Sequence, residues 1–337
     1  MKKISLSAIF LLATKIAFTQ GIHFSQINNA PMLINPANTG MIQDNEWRTG
    51  INYRTQAVTV PVPYNTFSIF ADGGINRNKW ETNWIGAGLA VWRDVAGNGN
   101  LALTKIQGNV AYHTLTSDNT SFSGGLGVAY NQRSVDFSKL TYDVQWDEYS
   151  FNSNLPNNET NTTQKTQFLD LSAGVNFAYY NNTNFYVKIS AAARNINQPK
   201  ESFYGSENKL GLRPIANIDI TYKVGNRLMV NPSFYYTRQK KASEIVSGAM
   251  FNINVGENRN AGFNEFLIGA YYRNNDAVII SSGYKFRQHC ITFSYDHTVS
   301  DLSQGNGGFG AFELSLILQG NYKPANDIAV SMGCPRF

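Results

Sequence analysis

The sequence is poor in charged residues and cysteine, and it has no long apolar run after its first twenty residues. Charged residues make up 15% of the chain, below the roughly 25% usual for soluble proteins. Its only cysteines, Cys290 and Cys334, form no Cys-x-x-Cys motif for a metal. No later stretch supplies the ~18 apolar residues that a membrane-spanning helix needs. Together with 21 Phe and 18 Tyr, these shortages favour an outer-membrane β-barrel or a secreted β-sandwich.

Residues 1–20 have the composition of an export signal. Lys2 and Lys3 precede a mostly apolar run, and Thr19-Gln20-Gly21 offers small and polar residues for cleavage. Without Lys2, Lys3 and Lys15 the chain has 28 − 3 = 25 basic residues against 23 acidic ones, a net charge of +2 instead of +5. The sequence pI of about 9.0 is therefore a poor reason to expect nucleic-acid binding.

Polar and apolar residues alternate along most of the remaining chain. In 168–180, for example, Leu171, Ala173 and Val175 alternate with Ser172 and Gly174, which is the period of a strand whose two faces differ. The alternation predicts fourteen strands, an even number as a closed antiparallel barrel requires. The predicted strands are 48–57, 65–72, 84–94, 101–115, 120–136, 168–180, 185–195, 214–224, 227–239, 244–255, 266–273, 277–286, 290–299 and 312–319.

Alternation alone also fits a β-sandwich, but the lengths of the connections favour a barrel. If the N-terminus is periplasmic, the three longest connections, 137–167, 196–213 and 300–311, all face outward. Most inward connections are short, with 73–83 and 256–265 as longer exceptions. Because outer-membrane barrels place long loops outside and tight turns inside, we predict an all-β fold with a single transmembrane antiparallel barrel of about fourteen strands.

Two irregular segments flank the predicted barrel. Residues 21–46 contain Pro31 and Pro36 and no strand pattern, so they either plug the lumen or lie in the periplasm. Residues 320–337 form a short tail on the periplasmic side. The predicted organisation is a signal peptide (1–20), an N-terminal segment (21–46), an outer-membrane barrel (47–319) and a C-terminal tail (320–337).

The sequence gives little support for catalysis or for a bound cofactor. Its four histidines, His23, His113, His289 and His297, form no His-x-x-x-His motif. The Gly-x-Ser-x-Gly motif of hydrolases is absent, and Gly124-Gly125-Leu126-Gly127 lies within a strand rather than before a helix. We therefore expect no enzymatic activity, no cofactor and no metal site.

Inward-facing polar residues and the two cysteines give more specific expectations. Lys188, Asp219, Asp296 and Glu313 either line an open lumen or form a charge network that braces the barrel. By strand parity Cys290 and Cys334 both lie on the periplasmic side, where disulfides are permitted. We predict a disulfide between them that ties the tail to the barrel, with two free thiols as the alternative.

Six short motifs occur in order along the chain: His23-Phe24-Ser25-Gln26, Asn35-Pro36-Ala37 followed by Gly40, Tyr53-Arg54-Thr55-Gln56, Ser294-Tyr295-Asp296, Phe312-Glu313-Leu314-Ser315-Leu316 and Cys334-Pro335-Arg336-Phe337. This order resembles the PorP/SprF family of outer-membrane proteins of the type IX secretion system, and the terminal Cys-Pro-Arg-Phe resembles its SprF-like branch. Ala57 and Phe312 depart from the family pattern, which bears on the branch rather than on the fold.

The resemblance implies a fourteen-stranded barrel in the outer membrane of gliding or adhesin-secreting Bacteroidota. The expected partners are the type IX translocon, periplasmic ring lipoproteins, outer-membrane lipid and a large secreted adhesin that is exported and attached through its C-terminal domain. The alternative function is a channel or uptake barrel for small or hydrophobic solutes. A third and weaker alternative is a secreted β-sandwich that binds glycans.

Overall fold

Fourteen of the sixteen strands in the described residues form one closed antiparallel barrel. The computed structural model describes residues 22–43, 45–56, 64–77, 82–147, 149–152, 154–156, 158, 165–181, 184–203, 207–256 and 264–322. The strands are β1 (Trp47–Gln56), β2 (Tyr64–Ile75), β3 (Asn83–Ala96), β4 (Leu101–Ser117), β5 (Thr120–Ser134), β6 (Trp146–Asp147), β7 (Ser150–Phe151), β8 (Lys165–Asn181), β9 (Phe185–Arg194), β10 (Arg213–Val224), β11 (Leu228–Gln239), β12 (Ala242–Asn254), β13 (Asn264–Arg273), β14 (Ala277–Phe286), β15 (His289–Thr298) and β16 (Phe309–Gly320).

The barrel closes between its first and last strands. Each barrel strand pairs with its neighbour along the chain, and β1 pairs with β16 from Trp47 opposite Gly320 to Gln56 opposite Ala311. Strands β6 and β7 form a separate two-stranded sheet. The described residues contain two short α-helices, α1 (Pro31–Ile34) and α2 (Ser303–Asn306). No helix among the described residues is long and apolar enough to cross a membrane. The predicted all-β, fourteen-stranded barrel is confirmed.

The barrel is apolar outside and polar inside. Along β4, Ile106 and Val110 are exposed on the outer surface, whereas Lys105, Gln107 and Asn109 are buried in the interior. The other barrel strands also place apolar residues outside and polar residues inside, because alternate residues of a strand point to opposite faces. An apolar outer band around a polar interior suits a lipid bilayer.

The connections distinguish the two ends of the barrel. Trp47 and Gly320, where the barrel chain begins and ends, lie at the same end. The turns at this end include the short 118–119 and 287–288, whereas the opposite end carries 135–164 and 195–212. Because outer-membrane barrels have short periplasmic turns and longer external loops, we name the first end the periplasmic end and the second the outer end.

Several strand boundaries differ from the sequence prediction in ways that shorten the connections. Strand β2 continues to Ile75, and β16 begins at Phe309 rather than at residue 312. The glycine-rich stretch before β16 turns through Gly307 and Gly308, which both have positive φ, and the residues after it pair with β15 across a bulge at Asp296 and His297. Glycine tolerates this backbone conformation and still allows the strand to start early.

Candidate functional site

The described part of residues 22–46, here called the N-terminal segment, runs through the lumen towards the periplasmic end. It contains three short helical turns, Ile27–Asn29, α1 and Pro36–Asn38. Pro31 and Pro36 stand in the first turn of the last two, where the fixed φ and missing N–H of proline are tolerated. Met32 packs in an apolar cluster with the inward-facing Trp92. The chain thus crosses the lumen in an irregular but ordered conformation.

Six charged side chains meet near the outer end of the lumen and form what we call the outer charge cluster. They are Arg54, Arg213, Glu244, Arg273, Asp296 and Glu313. Arg54 lies 3.0 Å from Asp296, and Arg273 lies 3.2 Å from Asp296 and 3.4 Å from Glu244. Arg213 lies 4.0 Å from Glu244, and Arg273 also pairs with Asp276 at 3.0 Å. Each charge in the cluster therefore has a partner of opposite sign, as buried charges require.

Glu313 connects this cluster to the N-terminal segment. Its two carboxylate oxygens accept the backbone N–H groups of Ser25 at 2.7 Å and Gln26 at 3.1 Å. One of the same oxygens lies 3.5 Å from the guanidinium of Arg54. Glu313 is 1% exposed, so its charge depends on these partners rather than on water.

The hydroxyl group of Ser25 makes a second connection to the cluster. It donates to Asp296 at 2.6 Å, accepts from Arg273 at 2.9 Å and also accepts from Arg54. A serine hydroxyl has one donor and two acceptor positions, so all three are used. The start of the segment is therefore bound to β1, β13, β15 and β16 at once.

Asn35 holds the middle of the segment against the opposite wall. Its side-chain oxygen accepts the N–H of Ala37 at 2.8 Å, and its amide donates to the Val175 carbonyl at 3.1 Å and to the Asn176 side chain at 2.8 Å. Asn35 can come this close to β8 only because residue 174 is glycine: a Cβ on Gly174 would lie 2.0 Å from the Asn35 side-chain oxygen. The segment thus packs directly on the backbone of β8.

An Asn35→Ala substitution should lower the free energy of unfolding by about 2–3 kcal/mol, because it removes a helix cap and buried side-chain hydrogen bonds. Chemical unfolding of the purified barrel in detergent micelles measures the difference. Asn28→Ala is the matched control, since Asn28 belongs to the same segment but is exposed. Equal stability of the two variants would show that the contacts of Asn35 do not hold the segment.

The segment leaves the lumen through a tight turn at Gly40. Gly40 has φ of +69°, and a Cβ there would lie 2.5 Å from the Cα of Gly86. Its N–H donates to Asp72 at 2.8 Å, and its carbonyl accepts the indole N–H of Trp84 at 3.0 Å. Asp72 also receives two hydrogen bonds from Arg48, at 3.0 and 2.8 Å. Only glycine fits both the conformation and the space.

Arg77 holds the last residues before β1. Its guanidinium donates to the carbonyls of Ile42, Gln43 and Asn45, at 2.9 Å for Gln43 and 2.7 Å for Asn45. Its Cζ atom also lies 5.2 Å from the centre of the Trp84 ring, a cation–π contact. The segment is thus held at its start, its middle and its exit.

A cavity of about 770 Å³ remains between the N-terminal segment and the wall formed by β9 to β16, β1 and β2. It is lined near the periplasmic end by Gln43, Asn45, Arg287, Gln288 and Gln319, which mark its mouth. Its polar lining includes two ion pairs, Lys188 to Asp219 at 3.1 Å and Lys285 to Glu265 at 2.9 Å. Its apolar lining includes Phe70, Met229, Leu267 and Ile317. The cavity extends from this mouth to Ser25 and Gln26, which hold the N-terminal segment to the outer charge cluster.

The structure divides the eight motif residues between two parts of the lumen. Ser25, Gln26 and Glu313 meet at the outer charge cluster, and Asn35, Pro36 and Gly40 lie on the wall formed by β2, β3, β5 and β8. Phe24 is buried in the apolar cluster of Met32 and Trp92. His23 lines a small cavity of about 20 Å³ with Arg213 and Glu244. Five of the six motifs are represented among described residues.

The other residues singled out in the sequence also lie in different parts of the lumen. Lys188 and Asp219 line the periplasmic cavity, whereas Asp296 and Glu313 belong to the outer charge cluster. Cys290 lines the cavity. Cys334 lies outside the described residues, so the predicted disulfide stays a prediction.

Sequence reasoning missed three residues that hold the segment: Asp72, Arg77 and Arg273. Asp72 and Arg273 end their predicted strands, and Arg77 falls in a predicted turn, so strand parity gave little reason to place any of them in the lumen. Their charge could have identified them. The chain has few charged residues, and a charge on the inner face of a strand needs a partner in the lumen.

The longest outer connection carries exposed apolar side chains on an ordered hairpin. Trp146 is 60% exposed and Phe151 43% exposed, and the two residues face each other across β6 and β7. Below them, the side-chain amide of the buried Gln145 donates to the Leu155 carbonyl at 3.0 Å. Aromatic residues are enriched at protein interfaces, so this hairpin is suited to hold a protein partner.

A family model described as "Type IX secretion system membrane protein PorP/SprF" matches residues 16–318, nearly the whole chain. The chain belongs to the PorP/SprF family. The family resemblance noted in the sequence is confirmed, although the match does not distinguish the SprF-like branch. This PorP/SprF protein is therefore an outer-membrane protein of the type IX secretion system, and it is associated with that secretion machinery.

Solved structures share the fold of this PorP/SprF protein at low sequence identity. The toluene transporter TbuX of Ralstonia pickettii is 9% identical, with a TM-score of 0.51 over 88% of this chain and 94% of that one. The toluene transporter TodX of P. putida is 9% identical, with a TM-score of 0.51 over 88% and 95%. A FadL homologue of Pseudomonas aeruginosa is 11% identical, with a TM-score of 0.51 over 85% and 92%. These similarities concern the fold alone, and no curated protein matches the chain.

Proposed function

We propose that this PorP/SprF protein helps to export a large adhesin and holds it at the cell surface through the adhesin's C-terminal domain, in support of gliding or adhesion. The observation that carries the proposal is the family match over residues 16–318. The outer loops hold the adhesin, and the periplasmic end meets the translocon and ring lipoproteins. The protein acts by binding and carries out no chemistry.

The exposed hairpin supports the outer part of this proposal. Trp146 and Phe151 project from a loop that Gln145 holds in place. Strands that are already paired, as β6 and β7 are, lose little conformational entropy on binding, and large aromatic side chains are frequent hot spots at interfaces. We therefore assign the adhesin contact to the connection 135–164, together with the adjacent 195–212 and, farther round the same outer end, 299–308.

The state of the lumen supports docking over transport. Hydrogen bonds hold the N-terminal segment to Glu313 at its start, to Asn176 in its middle and to Arg77 at its exit. A solute that crosses the barrel would have to displace many of these contacts together. The fold-level likeness to toluene transporters keeps transport as the second candidate, and planar-bilayer recordings separate the two. Docking predicts no steady ion current through the unchanged protein, whereas a persistent open conductance would favour transport.

Truncation of both aromatic residues, Trp146→Ala with Phe151→Ala, should reduce the adhesin retained on the cell surface by about tenfold or more. Each lost hot-spot side chain costs on the order of 1–4 kcal/mol of binding free energy. Quantitative mass spectrometry of surface-exposed proteins measures the loss in a strain that carries only the variant.

The matched control for this experiment retains aromatic side chains at both positions, as Trp146→Phe with Phe151→Tyr, and should keep most of the adhesin in place. The comparison requires that both variants are present in the outer membrane at the same level. Unchanged retention in the double alanine variant would remove the hairpin from the adhesin contact.

A further inference from the structure

We propose that the C-terminal tail, residues 323–337, folds back into the periplasmic cavity and is held there by a disulfide between Cys334 and Cys290. The described chain ends at Tyr322, beside the mouth of the cavity. The cavity would then be filled by a segment of this same chain. This proposal does not depend on which protein the outer loops bind.

Cys290 is positioned to receive the tail from inside the barrel. Its side chain shares the inward parity of Thr292, and both residues line the cavity. Only His289 separates it from Gln288, which belongs to the mouth. The thiol is partly buried rather than sealed within the wall. A segment that enters from the periplasm meets this thiol near the entrance.

The chain leaves the barrel next to the same mouth. Ile317 pairs with Cys290 in the register of β15 and β16, and it lines the cavity together with Gln319. Beyond β16, the N–H of Tyr322 donates to the Glu46 carboxylate at 2.6 Å. This contact fixes the direction in which the tail starts, close to the point where the N-terminal segment enters β1.

The tail is long enough to reach Cys290 and to occupy the cavity on the way. From Gly320 to Cys334 there are 334 − 320 = 14 residues, which span up to about 46–50 Å when extended. Cys290 lies beside Ile317, three residues and therefore roughly 10 Å along the strand from Gly320. The surplus chain allows an inward loop that returns to within the Cα separation of about 4.4–6.8 Å that a disulfide requires.

The composition of the tail matches the lining of the cavity. Its centre, Ile328 to Met332, is mostly apolar and suits the part of the cavity lined by Phe70, Met229 and Leu267. The tail also carries charges of both signs, in Asp327 and in its two basic residues. The lining provides both signs as well, in its two ion pairs. Burial of the apolar centre would favour the inward position of the tail.

Formation of the bond requires an oxidant, for which we name a disulfide-bearing periplasmic oxidoreductase. A cysteine thiolate attacks the donor disulfide, forms a mixed disulfide and releases one donor thiol. The second cysteine of the pair then displaces the other donor sulfur. The two cysteine thiols lose two protons and two electrons, and the donor disulfide is reduced to two thiols.

The first test counts free thiols in the protein purified from outer membranes without reductant. The protein is unfolded in detergent and treated with a maleimide–polyethylene glycol reagent that shifts the gel band for each labelled cysteine. We expect no shift before reduction and a shift for two cysteines after reduction, with the band at monomer mass. Two labelled cysteines before reduction, or a disulfide-linked dimer, would overturn the bond.

A second test asks whether the tail occupies the cavity. Cys334→Ser frees the Cys290 thiol and leaves the tail intact, and its rate of labelling by a small methanethiosulfonate reagent is measured in the folded barrel. Changing Ile328 and Val330 to aspartate in the same background should expel the tail and raise this rate about tenfold or more, while the barrel stays folded. Equal rates would show that the tail does not cover Cys290.

Discussion

A Glu313→Ala protein should unfold with a free energy about 3–5 kcal/mol lower than that of the unchanged chain, the cost of removing one partner from a buried ion pair. The substitution leaves the N–H groups of Ser25 and Gln26 without their acceptor and removes one of the two carboxylates beside Arg54. Glu313 is 1% exposed, so its loss leaves these two donors without a buried partner and leaves Arg54 with Asp296 as its remaining carboxylate partner. Chemical unfolding in detergent micelles, followed by tryptophan fluorescence, measures the difference.

The matched control for this prediction is Glu265→Ala. Glu265 also accepts two hydrogen bonds, from Lys285 at 2.9 Å and from Asn252 at 2.7 Å, but the Lys285 side chain is 37% exposed. The Lys285 ammonium can be hydrated by water in the cavity, so the free energy of unfolding should fall by only about 1 kcal/mol. Losses of equal size in the two variants would contradict the role of Glu313 as the buried partner of the N-terminal segment.

Gly125→Val should destabilise the barrel by about 3 kcal/mol, while Gly124→Val, one residue earlier on β5, should be neutral or slightly stabilising. A Cβ on Gly125 would lie 2.4 Å from the backbone nitrogen of Ala37 and 2.5 Å from the Pro36 carbonyl carbon. Backbone atoms cannot rotate away, so the helical turn at Pro36–Asn38 must lift from the wall, an overpacked arrangement. Thermal unfolding of the two purified variants provides the comparison.

The pair is informative because both substitutions make the same change in strand propensity. Valine favours strands over glycine at either position, and a Cβ on Gly124 would meet no atom within 4 Å. Any difference between the variants therefore reports what lies on the inner face of β5. If Gly125→Val were as stable as Gly124→Val, the N-terminal segment would not rest on this wall.

The strands can be predicted from the sequence because a barrel strand has a different environment on each face. The alternation predicts β4 at 101–115, and the strand lies at Leu101–Ser117. The same parity correctly assigns Asp296 and Glu313 to the inner face of the barrel. The boundaries near residues 75 and 309 are less accurate, because glycine and asparagine serve both in turns and in strand ends.

The path of the N-terminal segment cannot be predicted in the same way, because an irregular chain has no period. Ser25 reaches Asp296 across 271 residues of sequence, and no local pattern encodes such a contact. Gly125 and Gly174 look like ordinary strand glycines until the segment is seen against them. The hairpin of β6 and β7 escapes prediction for a different reason, since its two-residue strands are too short to show alternation.

The most direct test of the docking role is affinity purification of the tagged, otherwise unchanged protein from detergent-solubilised outer membranes, followed by mass spectrometry. We expect a very large surface protein to be recovered through its C-terminal domain, and the double alanine variant at Trp146 and Phe151 to recover far less of it. Repeated recovery of the barrel alone, from membranes in which that surface protein is present, would contradict the docking role.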